Sequence, residues 1–202
     1  MFNIYSEVFV LKLTTKKLVL MALFVAISVV LVYVIHFPIF PSAPYLEYDP
    51  ADIPILIGGF AFGPVAGIVI TVIASAIQAL TVSAQSGLYG FLMHVIATST
   101  LVVVASSIYH IRHTRVGAVI GLACGTISMA VIMVIANHFL TPIFYGMPAV
   151  AVDALLLPII LPFNLIKAGA NSIITFFVYK AVSKYIVHGE AFGKGKSATE
   201  KA

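Results

Sequence analysis

Asn164, Lys167, Asn171 and Thr175 interrupt an otherwise oily stretch, LPFNLIKAGANSIIT, residues 161 to 175. At ~100° per residue the four side chains fall within an arc of about 80° on one helix face. Two carboxamides, an ammonium and a hydroxyl on one face can hydrogen-bond the polar edge of a buried ligand or hold an anion. Gln78, His94, Asn137 and His138 are further polar residues in apolar surroundings. Singly, each suits an interhelical hydrogen bond; at one depth they could share a cavity. Bond-breaking chemistry finds little support. There is no HExxH or GxSxG pattern, and EAFGKGKS, 190 to 197, has Glu190 where a phosphate-binding loop needs its first glycine. No catalytic or metal site is expected: His110 and His113 sit beside Arg112 in a short basic connection, and a single cysteine, Cys124, allows neither a disulfide framework nor a thiolate site.

The elements that must position that polar face are membrane helices. Of the 202 residues, 61% are hydrophobic and 9% charged, and the mean hydropathy is +1.13. Such a chain is too apolar for a soluble domain, and its uncharged runs have the length of membrane spans. The net charge of +4 does not call for nucleic acid, because the basic residues outside Lys167 flank apolar segments. They form three groups: Lys12, Lys16 and Lys17; Arg112 and Arg115; and Lys180 through Lys184, Lys194, Lys196 and Lys201. The positive-inside rule puts all three in the cytoplasm. The connections 38–52 and 141–154 hold Glu47, Asp49, Asp52 and Asp153 and no Lys or Arg, so they belong outside.

Each stretch between basic groups must then cross the membrane an even number of times. The first does so only if the apolar segment 53–80 is broken, and GGFAFGPVAG supplies the break at Gly63-Pro64. The expectation is an all-α integral membrane protein of six helices, a single domain with both termini cytoplasmic. The helices cover about 16–37, 53–62, 64–84, 89–111, 115–140 and 156–184, followed by a cytoplasmic tail, 187–202. The first helix reads as retained rather than as a cleaved signal. Interrupted helices point to a transporter's binding region, since irregular backbone at membrane depth survives only when buried in protein or facing a cavity. With Lys180 at the inner boundary, thirteen residues at ~1.5 Å each place Lys167 about 20 Å above it, nearer the outer side. The outer loop FPSAPYLEYDPADIP, 40 to 54, has four prolines, two tyrosines and three acids, and is stiff and long enough to cover a pocket. Small residues form two ridges, Ala22 with Ala26, and Gly117 with Gly121 and Gly125, which let helices approach closely, by default within the chain.

In order, AxxxA in the first helix, DIPILIGGFAFGPVAG, ATST and ILPFNLIKAGAN resemble the substrate-binding (S) components of energy-coupling factor (ECF) transporters, most of all the riboflavin-specific group. The resemblance covers about residues 14 to 185. It implies a six-helix bundle in a prokaryotic plasma membrane that binds a vitamin at its outer side. It also implies a partner set: a transmembrane coupling subunit, which Ala22 and Ala26 would face, and two cytoplasmic ATPases that use the ATP. Riboflavin would be a transported ligand, not a permanent cofactor. The matching binding positions are Asn137, Asn164 and Lys167, with Tyr45 and Leu46 closing over the ligand; His94 and Gln78 join them by depth. Amide and ammonium donors suit flavin carbonyls, and Lys167 should gain stabilisation from the ligand. Two features depart from the family pattern near this pocket: His94 stands where many relatives carry asparagine, and Pro50 looks inserted in EYDPADIP. An S component for pantothenate or for flavin mononucleotide is the alternative, as Lys167 would also suit an anion. An intramembrane enzyme using Asp52, His94 or His138 is a further one, but the sequence offers it no evident catalytic pair.

Overall fold

The structure is a computed structural model that describes the backbone of residues 14–194 and the side chains of residues 14–179. Lys12 and residues 195–202 lie outside the described residues. The described chain is mostly helical. Helix α1 (Thr15–Val34) starts on Thr14, whose hydroxyl accepts the Lys17 N–H, and gives way to extended backbone at Ile35. It stops three residues short of the expected 37 because Phe37–Pro38 (β1) pairs antiparallel with Glu47–Tyr48 (β2). This ribbon and its turns carry the loop that leads into α2 (Asp52–Phe62).

Helix α2 is followed directly by α3 (Pro64–Leu80). The break falls at Gly63-Pro64: Gly63 has φ 97°, which a side chain would strain, and Pro64 opens the new helix where no N–H is needed. Short as it is, α2 is the most enclosed element, buried at every position from Asp52 to Phe60. Lys17 lies over the Phe62 ring and His110 reaches the Gly59 carbonyl. The α2 C-terminus therefore sits at the basic end of the bundle, and Asp52 starts it from the other.

A 3-10 turn (Ala84–Ser86) leads into α4 (Gly87–Arg112), and Thr114 caps α5 (Arg115–Tyr145). Helix α5 runs through Pro142, five residues past the expected end. Its last turn is held by Tyr89, which bonds Thr141 and packs on Phe144 and Tyr145. The last segment also departs from expectation. It begins early with α6 (Ala149–Leu155), passes through a π turn at Leu156–Ile160, and becomes α7 (Leu161–Lys194). Pro158 and Pro162 lack the N–H that regular winding needs, which accounts for the wide turn. Residues 187–194 of the expected tail continue α7 as helix. Among the described residues, four units are long and apolar enough to cross a membrane: 15–34, 84–112, 115–145 and 149–179; α2 and α3 are shorter.

The core runs through Ile55, Leu56 and Phe60 of α2, Ile70 of α3, Leu101 and Val102 of α4 and Met129 of α5. The two small-residue ridges have opposite fates. Gly121 lies against the Ala105 backbone, where an added Cβ would come within 2.5 Å of the carbonyl oxygen. Ala22 and Ala26 instead lie on the exposed side of α1, while Met21, Phe24, Val25, Ser28 and Val32 face the bundle.

Candidate functional site

A cavity of about 190 Å³ lies between the loop before α2 and helices α3, α4, α5 and α7. All seven side chains expected as binding positions, Tyr45, Leu46, Gln78, His94, Asn137, Asn164 and Lys167, line it; His138, Asn171 and Thr175 do not. Asp49, Ser75, Tyr89, Met129, Met133 and Phe163 line it as well and were not among the expected binding positions.

Lys167 does not wait for a ligand to supply its partner. Its Nζ donates to Asp49 Oδ2 at 2.6 Å, across 118 residues of sequence. The carboxylate's other oxygen accepts the Ala51 N–H at 3.1 Å. Burial pushes the Asp49 carboxyl up, but the Lys167 ammonium and its hydrogen bonds outweigh that and hold it below the usual carboxylate range. The loop is therefore bound to the last helix by a buried charge pair. Asn171 adds three bonds to the same seam: its amide donates to the Asp49 carbonyl (3.0 Å) and to Asp52 Oδ2 (2.9 Å), and its oxygen accepts the Tyr48 hydroxyl (2.9 Å). Ser28 of α1 donates to the Ala51 carbonyl at 2.6 Å.

The two cavity asparagines also differ from the sequence expectation. Each turns one amide hydrogen back onto its own helix, Asn137 to the Met133 carbonyl at 2.7 Å and Asn164 to the Ile160 carbonyl at 2.8 Å. The Asn137 oxygen accepts from Thr141 and Tyr89. Of the donors expected to greet ligand carbonyls, one hydrogen of each amide and two of the ammonium have no partner among the described residues. Gln78 contributes a buried Nε2 that has no partner among the described residues.

Asp52, Ser75 and His94 form a row that the sequence did not reveal. Ser75 Oγ meets His94 Nδ1 at 2.7 Å, and His94 Nε2 is 3.9 Å from Asp52 Oδ1. The second distance is too long for a hydrogen bond. Asp52 is instead satisfied by Thr98 at 2.6 Å and by Asn171, and is fully buried. His138 lies apart from the cavity, half exposed and paired with Asp153 of α6. Thr175, the last member of the polar face, is buried deeper along α7 and does not reach the cavity. His110 bonds the Gly59 carbonyl at the basic end and packs on the His113 ring.

Asp49 was legible only as a requirement. A lysine at that depth needs a counter-charge, and three acids stood in the loop, but no spacing rule selects among them.

Comparison with known proteins supplies what geometry alone does not. Residues 16–179 match the profile of the family described as ECF transporter, substrate-specific component. The chain is 29% identical over 177 residues to the riboflavin transporter RibU of Staphylococcus aureus (strain TCH60), covering 85% of this chain and 92% of that one. It is 28% identical over 180 residues to the riboflavin transporter FmnP of Bacillus subtilis (strain 168), covering 85% and 94%. A solved S component of a bacterial ECF transporter superposes with a TM-score of 0.74 at 30% identity, covering 85% of this chain and 97% of that one. A matched profile across most of the chain, together with a shared fold, makes this protein a member of the family of substrate-specific components of ECF transporters.

Proposed function

We propose that this chain is the riboflavin-binding membrane subunit of an ECF importer in a prokaryotic plasma membrane. It takes the vitamin from outside and works with a separate transmembrane coupling subunit and two cytoplasmic ATPases, which use the ATP. The observation that carries this reading is the cavity: the seven expected binding residues converge from the loop and four helices, in a chain whose relatives are riboflavin transporters. Apolar walls from Met129, Met133 and Phe163 suit the faces of a flavin ring, and the free amide and ammonium hydrogens suit its carbonyls.

In this reading the helices cross the membrane six times, with both termini inside. The acidic loop lies outside and the end holding Lys17 and Arg112 lies inside, in accord with the positive-inside rule. At about 190 Å³ the cavity is below the ~300–1,000 Å³ of pockets that enclose drug-sized ligands, so Tyr45 and Leu46, ahead of the part of the loop that Asp49 anchors to Lys167, move to admit the vitamin and close over it. Ala22 and Ala26, exposed on α1, face the coupling subunit.

The test is direct. Protein purified from cells grown with riboflavin should be yellow, and calorimetric titration with a panel of vitamins should give saturable binding for riboflavin and none for pantothenate. A colourless protein that ignores added riboflavin sinks the reading.

One observation favours a second reading, intramembrane acid–base chemistry: the row Ser75, His94, Asp52 follows the order of a nucleophile, a base and an orienting acid. Its 3.9 Å gap and the prior commitments of Asp52 speak against it. His94→Gln separates the two, since lost turnover of any substrate with ligand binding intact would support an enzyme, and weakened riboflavin binding supports transport.

A further inference from the structure

A second cavity, of about 230 Å³, lies at the basic end of the bundle, between the end of α2 and helices α4, α5 and α7. It shares no lining residue with the first. Phe60, Tyr109, Phe176 and Tyr179 give it aromatic walls, and His113, Thr114 and Arg115 form an exposed polar side. The rings hold one another in place: Phe60 lies 4.7 Å from Tyr109 and 5.2 Å from Tyr179, and His113 stands 5.5 Å from Tyr109. The tyrosine hydroxyls meet at 3.2 Å, so one donates to the other and the second keeps a hydrogen with no acceptor among the described residues. Thr114 accepts the Gly117 N–H and likewise has its own hydroxyl hydrogen to give.

Charge at this end is unbalanced. The acids whose side chains are described, Glu47, Asp49, Asp52 and Asp153, belong to the loop end or to α6. None of the ion pairs among the described residues uses Lys17, Arg112 or Arg115. Arg115 therefore presents a planar fork of donors, suited to a phosphate, beside an aromatic wall. A bare inorganic anion would satisfy the fork and make no use of four rings. The ligand that fits both halves has a phosphate at one end and a hydrocarbon body at the other, and a bilayer supplies it. Val119 and Phe177, exposed apolar residues next to the lining positions Ala118 and Phe176, continue the apolar side along α5 and α7. We propose that this cavity binds the headgroup phosphate of one anionic phospholipid, held by Arg115 and His113 with the Thr114 and tyrosine hydroxyls, its glycerol and first methylenes against the rings. Basic pockets between membrane helices on the cytoplasmic side are suited to such headgroups. The inference goes beyond the flavin reading and takes from the proposed orientation only which leaflet supplies the lipid.

Native mass spectrometry of the purified protein in a neutral detergent, with phosphatidylglycerol or phosphatidylcholine added in equal amounts, tests it. The wild type should retain one phosphatidylglycerol at least about fivefold more tightly than phosphatidylcholine, which carries the same phosphate without a net charge. Arg115→Gln should cut that retention by about fivefold. Arg112→Gln, on the same exposed connection but outside the cavity, should cut it by less than about twofold, because a charge in water is screened. Equal retention of the two lipids overturns the proposal. So does an equal loss from both arginine variants, which would mean diffuse attraction to a basic surface. Displacement of the lipid by a large excess of inorganic phosphate would assign the cavity to a soluble phosphate and overturn it as well. Riboflavin titration of the same samples reports the flavin reading separately, so either can fail without the other.

Discussion

The bundle is closed by different chemistry at its two ends. At the loop end, Lys167, Asp49, Asn171, Tyr48 and Asp52 join the loop to α7 through charge-assisted and neutral hydrogen bonds. At the basic end, rings do the closing: the Phe60 centroid lies 4.7 Å from Tyr109 and 5.2 Å from Tyr179, and the two tyrosine hydroxyls meet at 3.2 Å. Aromatic contacts weaken in proportion to the area removed. A buried polar network behaves otherwise, because removing one partner strands another without water to replace it. The loop end is thus the place where a small chemical change has a discontinuous effect, which suits a ligand-responsive site.

Lys167→Met should break the comparison most severely. It leaves Asp49 buried and unpaired, at a cost of about 3–5 kcal/mol, and removes a ligand-facing donor. Thermal unfolding in detergent and riboflavin titration should both show the loss. Adding Asp49→Asn to it should restore part of the stability, but not the binding, so the double variant is milder than the sum of the singles. Phe60→Ala should cost about 3–4 kcal/mol through lost burial and the cavity left behind. Its riboflavin affinity should stay within about threefold of wild type, because the change lies at the opposite end. An equal loss of binding from Phe60→Ala would mean that the two ends are coupled, and the division drawn above would fall. The smallest effect in the isolated protein is expected for Ala22→Leu with Ala26→Leu. On an exposed face these should shift stability by less than about 0.5 kcal/mol, leave riboflavin binding intact, and abolish uptake in cells that supply the coupling subunit.

Much of the architecture was legible because bilayer physics constrains it so heavily. Charge parity demanded a break within residues 53–80, and Gly63-Pro64 was the place in that run where backbone chemistry allowed one. Helical spacing put Asn164 and Lys167 on one face, and both line the cavity. The same spacing misled at Thr175, since a face continues along a helix after the cavity beside it has ended. His138 misled in a related way: depth placed it beside Asn137, but the next position on a helix points about 100° away, and it pairs with Asp153. Proline was an unreliable stop signal. Helix α5 passes through Pro142 and the last segment winds through Pro158, because side-chain packing and a widened turn absorb the missing N–H groups.

By itself the sequence determined that this chain is a helical membrane protein, where its short helix breaks, and which face of the last helix is polar. Those are consequences of hydropathy, charge distribution and helical period, all local in the chain. Only the tertiary structure decided that Lys167 is paired with Asp49, that Asn171 serves the loop instead of the cavity, and that Ser75 and Asp52 flank His94. Each of these joins residues 19 to 122 positions apart. No local rule selects such partners; packing does, by bringing one carboxylate of three within reach of the ammonium.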